Sequence, residues 1–270
     1  MQLRTVLVEP KLEENIGAVA RVLKNFGFSE FFLVNPAPPN PRAGEKAVAV
    51  ASHAHDVLTG CEVVGTVQEA VAGSAAVVGT TSKHGVSPNK HLRTPFFSLR
   101  ELREKVEGFG SGGVLSVLFG REDTGLRNEE LGLCDLVVCI PTSPDYPAMN
   151  LSHAVAVLLY ELSWARERGG EVSPAGASEL ATTAAKEQLF AHARSFFDEI
   201  GYKKHKKEKT LLLLRRILGR AGLTAREVQT LRGILRKAEW KIGEVGEVGE
   251  VGEVGEVGEV REVGEVGEVR

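Results

Sequence analysis

The chain has 270 residues, 43% of them hydrophobic and 26% charged, a balance that fits a folded globular protein and excludes wholesale disorder. No apolar run reaches membrane-spanning length, no signal-peptide pattern opens the chain, and three cysteines lack disulfide-framework or zinc-ligand spacing; the expectation is a soluble, cytoplasmic protein with no membrane and no metal. The net charge of −3 hides three unlike regions, with −4 over residues 1–165, +8 over residues 166–241 and −7 over residues 243–270.

Short apolar runs predict six strands, at Val6–Val8, Phe31–Val34, Glu62–Val64, Ala76–Val78, Leu115–Phe119 and Leu136–Ile140. Amphipathic stretches between them, Ile16–Phe26, Lys46–Leu58, Val67–Ala72, Ser98–Val106 and Leu151–Arg166, predict helices. Such alternation implies an α/β fold over residues 1–168, a parallel sheet with helices on both faces. In the first helix Asn15 reads as the N-cap, Ile16, Val19, Ala20, Leu23 and Phe26 form the core face, and Arg21 and Asn25 point away from it.

Beyond residue 168 the character changes. Residues 169–177 have the Gly-rich composition of a flexible linker. Residues 178–242 predict a small, basic, all-helical domain with helices at Ser178–Ile200, Thr210–Arg220 and Ala225–Lys241. Ala221-Gly222 closes the second helix, and Thr224 with Glu227 forms a capping box that opens the third. Residues 243–270 repeat Gly-Glu-Val nine times, with Arg261 in place of one glycine. A three-residue period fits neither helix nor strand and predicts disorder. The segment reads as an expansion without function, or as an acidic competitor of nucleic acid for the basic region.

The first strand is followed by Glu9-Pro10-Lys11-Leu12-Glu13-Glu14, not by a glycine fingerprint, and no Walker lysine, HExxH or GxSxG occurs. A dehydrogenase, a P-loop enzyme and an α/β-hydrolase are therefore disfavoured. Three polar segments stand at strand ends instead: Asn15-Ile16-Gly17 through Arg21; Gly120-Arg121-Glu122-Asp123-Thr124-Gly125-Leu126; and Ile140-Pro141-Thr142 with Asp145 through Ser152. Ligands of parallel sheets bind at the C-terminal strand ends, so these segments point to a polar site there.

In their order and content the three segments resemble the SPOUT superfamily of RNA ribose 2′-O-methyltransferases, and most of all the TrmJ branch of its TrmH-like family. The likeness runs through the first 165 residues, and Leu211–Trp240 resembles the branch's helical extension more weakly. The resemblance implies a C-terminal trefoil knot, a homodimer, and S-adenosylmethionine bound mainly through main-chain groups at Thr80, Thr81, Ser82, Gly120, Ile140, Pro147, Ala148 and Met149. It implies 2′-O-methylation of cytidine or uridine at nucleotide 32 of the tRNA anticodon loop. Catalytic roles fall on Arg21, reaching the donor held by the other subunit, and on Asn150 and Glu122. A guanidinium keeps its protons at physiological pH, so a bidentate grip on substrate phosphate suits Arg21 better than proton abstraction. Where relatives carry Ser, this chain has Ala148, which removes one hydroxyl.

Each residue also has a plainer reading. Asn150 serves as a helix N-cap, Glu122 accepts backbone N–H groups, Cys139 is a small buried hydrophobe, and His53, His55 and His153 are structural or solvated. Lys203–Lys207 with Arg215, Arg216, Arg220, Arg226, Arg232, Arg236 and Lys237 reads as a phosphate-tracking surface. The alternatives are methylation of ribosomal RNA and a non-catalytic nucleic-acid-binding regulator on a knotted fold.

Overall fold

Successive side chains of a strand face opposite sides of a sheet, and here both sides are covered. In a computed structural model, residues 2–82, 96–108, 113–168 and 180–252 are described. All six predicted strands form: β1 (Gln2–Val8), β2 (Glu30–Val34), β3 (Glu62–Val64), β4 (Ala76–Thr81), β5 (Val114–Phe119) and β6 (Leu136–Cys139). They pair in parallel throughout, in the order β3-β2-β1-β5-β4-β6.

The helices among the described residues are α1 (Glu13–Asn25), α2 (Glu45–Ala51), α3 (His55–Thr59), α4 (Val67–Val71), α5 (Leu99–Gly108), α6 (Asn128–Gly132), α7 (Leu151–Arg168), α8 (Thr183–Glu199), α9 (Lys204–Ala221) and α10 (Ala225–Gly252). Leu7, Phe31, Leu33, Val117 and Val138 meet α1, α2, α3, α5 and α7 on one face of the sheet. Val6, Phe32, Val34, Leu118 and Val137 meet α4 and α6 on the other. The predicted stripe of α7, namely Leu151, Val155, Leu158, Leu159 and Leu162, is buried as expected.

One expectation needs correction. The predicted helix Lys46–Leu58 is broken into α2 and α3, because Ser52 adopts a left-handed φ of 53°. The Lys24 ammonium holds the break by donating to the His53 carbonyl at 2.9 Å and to Asp56 at 2.7 Å. At the other end of the chain, α10 continues ten residues into the repeat, to Gly252. Extending an existing helix adds a hydrogen bond for each residue fixed and avoids the nucleation step. The remaining repeats and the linker at 169–177 lie outside the described residues.

In the helical region, Thr182 caps α8 through the Ala185 N–H. α9 starts six residues earlier than predicted and takes Lys204–Lys207 into its first turns. Gly222, at a left-handed φ of 69°, ends it. The predicted capping box is present: Thr224 Oγ1 accepts from the Glu227 N–H, and the Glu227 carboxylate accepts from the Thr224 N–H at 2.8 Å.

These helices are docked on the sheet domain through buried polar contacts. The N-terminal N–H groups of α8 at Thr183 and Ala184 donate to the carbonyls of Ser74 and Ala72. The Lys186 ammonium, 3% exposed, donates to Asp135 Oδ2 at 2.6 Å and to the Ala75 carbonyl at 2.9 Å. The Arg216 guanidinium, 2% exposed, donates to the carbonyls of Leu131 and Cys134 at the C-terminal end of α6, and burial lowers its proton affinity. Gly219 lets α9 approach this closely, since a Cβ there would lie 2.7 Å from that of Asp135. All of these contacts fall at or before the N-terminal ends of β4 and β6.

Candidate active site

The opposite, C-terminal ends of β4, β5 and β6 enclose a cavity of about 270 Å³. β4 contributes Thr80, Thr81 and Ser82; the loop after β5 contributes Gly120 and the segment through Leu126; the loop after β6 contributes Ile140, Thr142 and Pro147-Ala148-Met149. The eight residues singled out in the sequence as cofactor-binding thus line one cavity. Their hydroxyls are partly committed to structure: Thr80 Oγ1 donates to the Leu118 carbonyl at 2.9 Å, and Thr142 Oγ1 donates to that of Pro147 at 3.1 Å. Gly120 cannot be replaced without moving main chain, because a Cβ would stand 2.1 Å from the Gly125 carbonyl carbon.

Glu122 lines the same cavity and joins it to α1. Its carboxylate accepts the backbone N–H groups of Lys11, at 3.1 and 3.2 Å, and Leu12, at 3.3 Å, together with the Asn15 side-chain amide at 2.8 Å. A carboxylate at the positive end of a helix, taking orphan N–H groups, is a cap supplied from far away in sequence. Asn15 is therefore not the N-cap the sequence suggested. It lies inside α1, 5% exposed, with its amide claimed by Glu122 and its carbonyl accepting from Asn150 Nδ2 at 3.2 Å. Asn150 is the cap expected for α7: its Oδ1 accepts from the Ser152 N–H at 2.9 Å and hydroxyl at 2.8 Å. Glu122, Asn15 and Asn150 form one chain of hydrogen bonds joining the loop after β5, α1 and the start of α7.

Arg21 is not brought to this cavity. It is exposed on α1 and has no hydrogen-bond or ion-pair partner among the described residues. α1 packs along α7, where Phe26 meets Tyr160 edge-on at 6.2 Å and Val157 and Tyr160 remain exposed. His53, His55 and His153 are exposed. Cys139 is buried, and burial pushes its thiol up.

Sequence reasoning missed Arg121. It is 5% exposed, bidentate to Glu130 at 2.8 and 3.1 Å, and donates to Glu9 at 2.7 Å and to the Gly125 carbonyl at 3.2 Å. The hydrogen bonds to Glu9 and Glu130 hold its proton affinity above the ordinary value, and Glu9 in turn is held below the usual carboxylate range. Arg121 thereby closes the Gly120–Leu126 loop on itself and ties it to the end of β1. The only local signal was an Arg directly after a strand, which reads equally well as a solvated charge.

A six-stranded parallel sheet whose last three strand ends and loops build one cavity defines the catalytic-domain class, and the family comparison agrees. The chain belongs to the SpoU rRNA Methylase family, whose model matches residues 2–160. Within that family it stands with the TrmJ proteins, because residues 184–247 match the model of the tRNA methyltransferase TrmJ, C-terminal domain. It is 35% identical to the tRNA (cytidine-2'-O-)-methyltransferase TrmJ of Methanocaldococcus jannaschii, over 86% of this chain and 97% of that one. It is 35% identical to the tRNA (cytidine/uridine/adenosine-2'-O-)-methyltransferase TrmJ of Pseudomonas aeruginosa, over 88% and 94%. The crystal structure of TrmJ from Z. mobilis superposes with a TM-score of 0.70 at 30% identity, covering 88% of this chain and all of that one.

Proposed function

We propose that the protein is an S-adenosylmethionine-dependent methyltransferase acting on a ribose 2′-oxygen of tRNA, in the anticodon loop at nucleotide 32. The observation that carries this reading is the single cavity into which three sequence segments, far apart in the chain, converge. Apolar walls from Ile140, Met149, Leu126 and Leu151, and the close main-chain approach at Gly120, fit a purine and a thioether-like chain held largely by backbone groups. The donor supplies a methyl group on positively charged sulfur. The residues Thr80, Thr81, Ser82, Gly120, Ile140, Pro147, Ala148 and Met149 hold it, and the loops exclude water. Glu122 and Asn150 act as positioning residues that fix the cavity loops to α1.

Arg21 from a second copy of the chain grips the substrate phosphate bidentately and aims the ribose hydroxyl into the cavity. Its exposure on α1, with that of Val157 and Tyr160 on the adjoining α7, supports a homodimer built through these two helices. The two loops that lie together over the cavity, after β5 and after β6, support the trefoil knot of the family. The basic helical domain over residues 178–242 holds RNA, and the whole is a cytoplasmic enzyme. The helical match favours tRNA over ribosomal RNA.

The test is mass spectrometry of nucleosides, mapped by position, after incubation with labelled donor and bulk tRNA, ribosomal RNA or DNA. A 2′-O-methyl group at nucleotide 32 of tRNA is expected. Methylation of ribosomal RNA alone would replace the substrate assignment, and no transfer to any RNA would leave a regulator in place of an enzyme.

A further inference from the structure

Part of the positive charge read from the sequence of the helical domain is withdrawn from solvent. Of the basic residues read as phosphate-tracking, Arg215 is buried against Glu187 at 2.6 Å and Phe190 at 4.3 Å, Arg216 is spent on main-chain carbonyls, and Arg232 is half-buried, bonded to Gln188 at 3.0 Å. Lys186 is spent on Asp135. The exposed cations fall in two groups: Lys203, Lys204, Lys206, Lys209 and Arg220 at and on α9, and Arg226, Arg236, Lys237 and Lys241 on α10, where they accompany an exposed tryptophan.

At 3.6 residues per turn, Arg226, Gly233, Arg236, Lys237, Trp240 and Lys241 fall on the side of α10 opposite Val228, Leu231 and Leu235, which pack toward α8. No carboxylate of residues 225–241 shares that outward face. Glu227 is turned to Thr224, and Glu239 is turned to His192 at 2.9 Å. Arg226, Arg236 and Lys237 have no carboxylate partner among the described residues. Trp240 is 53% exposed, with the Lys237 ammonium 3.8 Å and the Lys241 ammonium 5.8 Å from its ring centroid. Gly233 leaves open space in the middle of the face, since a Cβ there would meet nothing within 4 Å. A large indole held in water between cations is costly unless something covers it, and the surrounding charge selects an anionic partner with flat apolar groups.

We propose that this face of α10 is a single-stranded RNA site, with an unpaired base stacked on Trp240 and flanking phosphates paired with Arg226, Arg236, Lys237 and Lys241. The proposal rests on the RNA-modifying reading above and assigns to this face the hold on the tRNA. From Arg226 to Trp240 the face runs about 21 Å at 1.5 Å per residue, the length of about six stacked nucleotides. It belongs to a domain docked at the N-terminal ends of β4 and β6, so it grips RNA away from the reacting nucleotide. Losing it raises KM for tRNA and spares kcat.

The test uses the full chain in a Trp164→Phe background, which leaves Trp240 as the only tryptophan. Titration with oligouridylate or tRNA, without methyl donor, is expected to quench Trp240 emission saturably. Trp240→Ala is expected to weaken tRNA binding about tenfold or more, with Trp240→Phe retaining most of it. Arg236→Gln and Lys237→Gln are each expected to reduce the salt dependence of binding by about 0.7 in log–log slope. Donor binding by calorimetry and the circular dichroism spectrum stay unchanged in every variant. Wild-type tRNA affinity in Trp240→Ala, or equal quenching by duplex DNA, would overturn the proposal. Failed methyl transfer with Trp240-dependent RNA binding intact would sink the proposed reaction and leave this site standing.

Discussion

Replacing Lys186 by Met tests whether the helical domain is held on the sheet domain by a buried charge pair. The ammonium is 2.6 Å from Asp135 Oδ2, and the two residues are 3% and 2% exposed. Without it, Asp135 keeps one donor on that oxygen, the Val77 N–H at 3.0 Å, and the carboxylate is left buried with its charge uncompensated. Breaking one side of such a pair costs about 3–5 kcal/mol. The exposed pair Lys24–Asp56 provides the contrast, because Lys24→Ala should cost no more than about 1 kcal/mol. Urea unfolding at neutral pH, followed by far-ultraviolet circular dichroism, measures both. The double variant Lys186→Met/Asp135→Asn removes the two charges together, so it is expected to lose less than the sum of the single changes. A loss below about 1 kcal/mol for Lys186→Met, or full additivity in the double variant, would refute the argument.

Gly120→Ala is expected to abolish donor binding by calorimetry, since the new methyl group collides with main chain at Gly125 and Leu126. Arg21→Ala should lower methyl transfer to tRNA by about 100-fold while leaving donor binding at its wild-type value; equal losses in both would place Arg21 in the donor pocket instead. Glu9 is held below the ordinary carboxylate value of 4.5, first by its hydrogen bond from Arg121. Its contribution to stability is therefore complete above that value and is lost as pH falls through the lowered folded value. Glu9→Gln should flatten the acid side of a stability–pH profile, and an unchanged profile would count against the ion pair.

The strands were legible because each is a short apolar run whose alternate residues face two covered sides, as Phe31, Phe32, Leu33 and Val34 do. Local patterning placed a polar site at these strand ends and marked Asn150 as a cap; which residues hold a ligand was legible only through the family likeness. What stayed hidden depended on partners distant in sequence. Asn15 looks like a cap because Asn caps helices, yet a carboxylate 107 residues away performs that task. Arg216 looks like solvated charge because nothing nearby in sequence shows that the carbonyls of Leu131 and Cys134 await it. A Gly-rich linker suggested two loosely joined units, whereas docking is decided by residues 72–75 and 131–135.

The junction of Glu122, Asn15 and Asn150 also bears on how the protein is made. Glu122 and Asn150 lie 107 and 135 residues beyond Asn15, and at about 5–20 residues per second the ribosome needs about 7–27 s to go from Asn15 to Asn150. During that interval α1 exists without the carboxylate that caps it, and later without the amide that anchors Asn15. The chain therefore emerges with its first helix exposed to fraying and with the cavity unformed. The site is completed only when α7 leaves the ribosome, so a nascent chain stalled before Asn150 carries all six strands and the cavity residues through Met149 but lacks the amide that joins α7 to Asn15.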